Sequence, residues 1–148
     1  MLNESLFSSN RMDWRTPKKL FDALNAEFAF NLDAAADDDN AKCSMYFTKN
    51  DDALSRDWSG YTVFCNPPYG RNLGAWVAKG HAEGKKPNTT VVMLIPARPD
   101  TAYWHDHILH GHADEIRFLR GRVRFEDESN TPAGPAPFPS AVVIWRSK

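Results

Sequence analysis

Two successive prolines, Pro67 and Pro68, directly follow an apolar run containing Tyr61, Val63 and Phe64, and they leave this chain few choices. β-branched and aromatic residues that stop at such a pair read as a buried strand ending in a rigid loop, because proline has no N–H for a sheet ladder. Asn66, Pro67, Pro68 and Tyr69 are therefore expected at the carboxyl end of a strand. Open α/β sheets bind their ligands on that rim.

The same four residues carry a chemical reading. An exocyclic amine conjugated to a ring, such as the 6-amino group of adenine, is a poor nucleophile because its lone pair is delocalised. Two fixed acceptors can hold its N–H groups and draw the nitrogen toward a tetrahedral geometry as a methyl group arrives. The Asn66 side-chain oxygen can be one of them. The Pro67 carbonyl, held by two fixed φ angles, can be the other. Positive charge leaves a sulfonium and appears on the amine during transfer, so preorganised oxygen dipoles favour the transition state over the ground state. Tyr69 offers a flat face on which an extruded base can stack.

Asn66-Pro67-Pro68-Tyr69 after a hydrophobic strand resembles the catalytic motif of amino methyltransferases that use S-adenosylmethionine. The resemblance goes further. Asp13-Trp14-Arg15-Thr16-Pro17, Phe30-Asn31-Leu32-Asp33-Ala34-Ala35, Ala41-Lys42-Cys43, Tyr46-Phe47-Thr48, Leu94-Ile95-Pro96-Ala97-Arg98, Phe118-Leu119-Arg120-Gly121-Arg122 and Pro137-Phe138-Pro139-Ser140 follow one another in an order similar to the phage DNA N-6-adenine methyltransferase (Dam-type) family. The resemblance implies an α/β chain, a single-domain Rossmann-like methyltransferase fold with a mixed, mostly parallel sheet. It implies S-adenosyl-L-methionine as cofactor, double-stranded DNA as partner, and a phage or prophage protein acting in the cytoplasm of a bacterial host. It places catalysis at Asn66, Pro67, Pro68 and Tyr69, and cofactor contacts at Trp14, Thr16, Pro17, Asp33, Ala34 and Asn66. A further carboxylate near the cofactor's adenine or ribose matches Asp52 best, with Asp51 its rival.

The residues by themselves leave plainer readings open. Trp14, Thr16 and Pro17 suit a helix cap and staple. Asp33 ends a strand predicted over Phe28 to Leu32 and precedes Ala34-Ala35-Ala36, where small side chains let a ligand approach the backbone; it can equally cap a short helix. These alanines stand where many related enzymes have a glycine-rich loop. Asp37-Asp38-Asp39-Asn40 lacks the spacing, glycine and glutamate of a calcium loop and reads as a solvated turn.

A length of 148 residues suits one domain, taken as residues 11–148 after a mobile tail at 1–10. Hydrophobic content of 42% with 25% charged residues argues against disorder. The net charge of −1 means that any DNA contact must come from a local patch. Cys43 and Cys65 are too few for a disulfide framework and suit a reducing cytosol. No apolar run has membrane-spanning length, so no membrane partner is expected.

In chain order, the spacing predicts a helix over 17–27 capped by Thr16, a short strand over Ser44 to Thr48, and a helix from Leu73 to His81 with Trp76 inward. The apolar run Thr89 to Ile95 predicts a strand buried on both faces. Thr101 to His110 reads as helix, and two short strands are expected around Arg120-Gly121-Arg122. Ala141 to Trp145 supplies a last strand. Ser129 to Pro139 is too rich in proline and glycine for regular structure and reads as a lid or target-contacting loop.

Candidate phosphate contacts are Arg71, Arg98, Arg120, Arg122 and Arg124, with Arg98 equally able to pair with a carboxylate. His105, His107, His110 and His112 lack metalloprotease spacing, since only His107 and His110 would share a helical face; no metal is expected. Methylation of RNA adenine or protein glutamine by the same acceptors, or a silent nucleic-acid-binding module, would fit much of the same pattern.

Overall fold

The computed structural model describes residues 14–126 and 134–147. The tail expected at 1–10 and much of the loop expected at 129–139 lie outside the described residues. Among the described residues one five-stranded sheet runs in the order β1-β2-β3-β5-β4. These strands are β1 (Leu32–Asp33), β2 (Thr62–Cys65), β3 (Thr90–Pro96), β4 (Glu115–Phe118) and β5 (Ser140–Arg146). β1, β2 and β3 pair in parallel, whereas β5 runs antiparallel to both β3 and β4. Four strands therefore point one way and β5 alone points back, which makes the sheet mixed. No helix among the described residues is long and apolar enough to cross a membrane.

Helices cover both faces. On one side lies α1 (Lys18–Phe28), whose Phe21 packs edge-on to Phe64 of β2 at 5.1 Å between ring centroids. On the other lie α2 (Leu73–Gly84) and α3 (Ala102–His107). Covered on both faces and flanked on both edges, Val91 to Ile95 and Ala141 to Ile144 have no solvent exposure, which explains the unbroken apolar runs in sequence. The close approach of α2 depends on glycine: a Cβ on Gly84 would meet the Trp145 Cβ at 2.5 Å and its carbonyl oxygen at 3.1 Å. Gly84→Ala is thus expected to destabilise the fold by about 1–3 kcal/mol despite alanine's better helix propensity, as a denaturant midpoint would show.

Several elements differ from expectation. Phe28 ends α1 rather than opening a strand, because Ala29 turns left-handed (φ 56°) and Asn25 takes both the Ala29 N–H on its carbonyl and the Phe30 N–H on its side chain. The alternation over Phe28 to Leu32 reflects an aromatic cluster of Phe21, Phe28, Phe30 and Phe64. Residues 44–48 form only one bridge, Asp33 to Tyr46, beside β1. Among the described residues no second strand follows Arg122; the segment to Glu126 runs instead to the amino-terminal arm, where Arg15 and Glu126 exchange backbone hydrogen bonds. α3 stops at His107 because the Ile108 and Leu109 N–H groups both return to the Trp104 carbonyl, and His110 (φ 61°) and Gly111 (φ 85°) then reverse the chain.

Candidate active site

A cleft of about 740 Å³ opens over the carboxyl ends of β1 and β2. Its lining includes Trp14, Arg15 and Thr16 from the amino-terminal arm, and Asp33, Ala34 and Ala35 after β1. Phe47, Asp52 and Leu54 come from the turns before β2, Asn66 and Pro68 from the loop after it, and Trp76 from α2. The Ala34 N–H donates to the Phe64 carbonyl at 3.0 Å, carrying the β1–β2 pairing one residue past the strand. The alanines then keep that wall low where bulk would fill the cleft.

Asn66 is oriented by its neighbours. Its Nδ2 donates to the Trp14 carbonyl and to Thr16 Oγ1, the latter at 3.0 Å. A carbonyl can only accept, so the amide nitrogen must face Trp14 and Oδ1 must point away. Oδ1 accepts from the Tyr69 hydroxyl at 2.7 Å, while that same hydroxyl lies 2.9 Å from the Leu94 carbonyl. Burial holds the Tyr69 phenol well above its ordinary pKa, so it stays a donor. One proton between two acceptors leaves Asn66 Oδ1 with capacity for a further N–H. Thr16, expected as the cap of α1, makes no cap bond; Pro17 is the capping residue, and the Thr16 hydroxyl fixes Asn66 instead.

The open stacking face expected of Tyr69 is not present. Its ring is 7% exposed, covered by Trp14 (centroids 6.5 Å apart, 22° between planes) and by the edges of Phe138 at 5.7 Å and Phe125 at 6.1 Å. The arm pairing of Arg15 with Glu126 brings Trp14 and Phe125 together there. Pro17, Pro67 and Tyr69 are not among the residues that line the cleft.

Asp33, 3% exposed, is the buried carboxylate of the cleft. It accepts the backbone N–H groups of Lys42 at 3.0 Å and Ala35 at 3.3 Å, yet burial outweighs them and pushes its pKa up to about 6. Asp51 and Asp52 separate clearly. Asp51 turns inward as the box of its own turn, accepting from the Thr48 N–H at 2.7 Å and Oγ1 at 3.1 Å. Asp52 lines the cleft on a left-handed backbone (φ 53°), a conformation that aspartate tolerates better than most residues. Asp37 closes the acidic turn on the Asp39 and Asn40 N–H groups at 2.9 Å and pairs with Arg15.

Sequence reasoning missed Leu54 as a wall residue and placed Trp76 in the core, whereas it is half-buried and lines the cleft. Nothing in the pattern separates these side chains from core ones.

The five candidate arginines share a setting. Arg71, Arg98, Arg120, Arg122 and Arg124 are all exposed, in segments that leave the carboxyl ends of β2, β3 and β4, strands that point the same way. Arg98 lies over the Phe138 ring at 5.9 Å. Arg117, by contrast, is held between Glu27 and Glu115. The histidines pair differently from a helical reading: His107 Nδ1 meets His81 Nδ1 at 3.0 Å, and His105 Nδ1 meets His110 Nε2 at 3.0 Å. Among the described residues no group of three or more side chains is arranged to hold a metal ion.

A mixed α/β sheet with a cleft over its parallel strand ends, and an oriented amide at the cleft's edge, is compatible with a methyltransferase-like fold. The family model for DNA N-6-adenine-methyltransferase (Dam) matches residues 4–148, and the chain belongs to that family, as an adenine-specific DNA methyltransferase. The DNA N-6-adenine-methyltransferase of Haemophilus phage HP1 (strain HP1c1) is 26% identical over 151 residues, covering 100% of this chain and 86% of the phage protein. That of Escherichia phage T1 is 32% identical over 93 residues, 62% of this chain and 38% of the phage protein. YfdM of Escherichia coli (strain K12) is 46% identical over 63 residues, 38% of this chain and 69% of YfdM.

Proposed function

We propose that the chain methylates the 6-amino group of adenine in double-stranded DNA with S-adenosylmethionine as donor, through a Rossmann-like methyltransferase fold, and that Asn66 Oδ1 and the Pro67 carbonyl hold the amine. The observation that carries this reading is the amide of Asn66, whose nitrogen is committed to the arm and whose oxygen retains accepting capacity. The cleft suits the donor's chemistry. Asp33 and Asp52 offer carboxylates to a cationic amine and to ribose hydroxyls, while Phe47, Leu54 and Trp76 offer apolar surface to a purine. Trp14 and Thr16 wall the cleft, Ala34 leaves room for the donor, and Pro17 and Pro68 set the two loops. S-adenosylmethionine supplies a methyl group already activated on a cationic sulfur, so the protein's part is positioning and charge stabilisation.

With Tyr69 covered in this structure, a target base gains its face only when one of the covering rings, Trp14, Phe125 or Phe138, moves aside. Phe138 is half-buried and reaches the surface beside exposed Arg98, which makes it the natural mover. Arg71, Arg98, Arg120, Arg122 and Arg124 would meet DNA phosphates, in the cytoplasm of a bacterial host. Incubation with labelled donor and unmodified duplex DNA, followed by nucleoside analysis, should place the label in N6-methyladenine. Label in RNA or protein but not DNA would overturn the reading.

Tyr69 has a separable role through its hydroxyl. Tyr69→Phe keeps the ring but removes the bond that steadies Asn66 Oδ1, so kcat is expected to fall about tenfold, the worth of one good hydrogen bond. Donor affinity measured by calorimetry should stay within about twofold, because Tyr69 is behind the cleft wall.

A further inference from the structure

β4 ends on Phe118, whose side chain is 62% exposed, the most exposed large hydrophobic residue among those described. A single exposed apolar residue is ordinary. This one is mounted: its ring lies 6.1 Å from that of Trp104, with only 11° between the planes, and Trp104 itself is fully buried. One face of Phe118 thus rests on a fixed indole while the other is available to a flat partner.

The sheet register places this ring relative to the reacting centre. Phe118 pairs with Ala141, Ala141 with Ile95, and Cys65 lies level with Met93, so Phe118 stands in the row that continues past β2 at Pro67. Three strand spacings separate the two, about 14 Å. That distance is about four base steps along a duplex. Arg120 and Arg122, two and four residues after Phe118, are exposed around Gly121, whose positive φ (72°) makes the turn. On a chain of net charge −1, an aromatic face beside such arginines fits a partner with stacked rings and phosphates.

We propose that Phe118 is a DNA-contacting residue, wedging its outer ring face onto a base at a step that opens a few base pairs from the extruded adenine, with Arg120 and Arg122 on the adjoining phosphates. This rests on Asn66 marking the reacting centre, and Asn66→Ala, which should lose methylation far more than duplex affinity, checks that point independently. The aromatic contact supplies affinity that salt does not screen, in contrast to the arginines.

The test is equilibrium binding by fluorescence anisotropy to a duplex that the wild-type protein methylates, across a salt series. Phe118→Ala should weaken binding about tenfold at every salt concentration while leaving the slope of log Kd against log salt unchanged. Arg122→Gln should flatten that slope by about one phosphate contact. Phe118→Trp, which keeps a stacking face, should restore binding. Donor affinity should not change in any of the three. The proposal is overturned by binding of Phe118→Ala within twofold of wild type, by a parallel loss of donor affinity, which would make the ring a prop for α3, or by a change of oligomeric state without a change in DNA affinity, which would make it a contact between copies.

Discussion

Asn66→Ala is expected to lower methyl transfer to DNA by about 10²–10³-fold at saturating donor, the scale seen when a preorganised group facing the developing charge is removed. The structure adds a second consequence. The Asn66 amide also ties down Trp14 and Thr16, which wall the cleft, so the variant should lose some donor affinity as well, within about tenfold for one or two hydrogen bonds. The split between the two effects is therefore the diagnostic: kcat must fall far more than Kd rises. Equal losses would mean that Asn66 is only a tether for the arm. Asn66→Asp sharpens the comparison, since its second oxygen would face the Trp14 carbonyl, acceptor against acceptor. Protonation relieves that conflict, so the aspartate variant should regain activity as the pH is lowered toward its raised pKa, whereas Asn66→Ala should not.

Much of this site is legible in the sequence because it depends on residues whose backbone chemistry is rigid. Pro67 and Pro68 cannot continue a ladder, so the position of Asn66 at a strand end follows from local rules, as does the double-sided burial of β3. The failures share a cause, which is long-range pairing that no local period reports. Phe28 and Phe30 alternate like strand residues, yet their spacing serves an aromatic cluster with Phe21 and Phe64. Thr16 has the local signature of a cap, but a partner 50 positions away claims its hydroxyl. Tyr69 reads as an open platform because nothing near it in sequence tells that Trp14, Phe125 and Phe138 converge on its ring. Asp51 and Asp52 differ only in which one the turn consumes, a matter of backbone geometry.

Asp33 makes the second large prediction, because its burial links stability to ligand binding. Its carboxyl is raised from 3.8 to about 6, chiefly by burial and slightly by Asp37, against the opposing pull of the Lys42 and Ala35 N–H groups and the Lys42 charge. For a carboxyl raised in the folded state the unfolded chain releases its proton first. The stability is therefore complete below pH 3.8 and is lost as the pH rises through about 6. The loss amounts to about 3 kcal/mol at neutral pH, an upper figure that local relaxation would reduce. Asp33→Asn should lack this decline between about pH 4 and pH 6, so that chemical denaturation of the ligand-free variant gains on wild type across that window. Binding should run the other way. If the ionised Asp33 meets a cationic group of the donor, wild-type affinity should weaken about tenfold from pH 7 to pH 5, and Asp33→Asn should bind weakly at both. A flat wild-type profile would remove Asp33 from the donor site and leave it a buried structural carboxyl. The opposing signs matter most: a group that destabilises the empty protein and strengthens the liganded one belongs to a binding site, and a purely structural carboxylate would not show both.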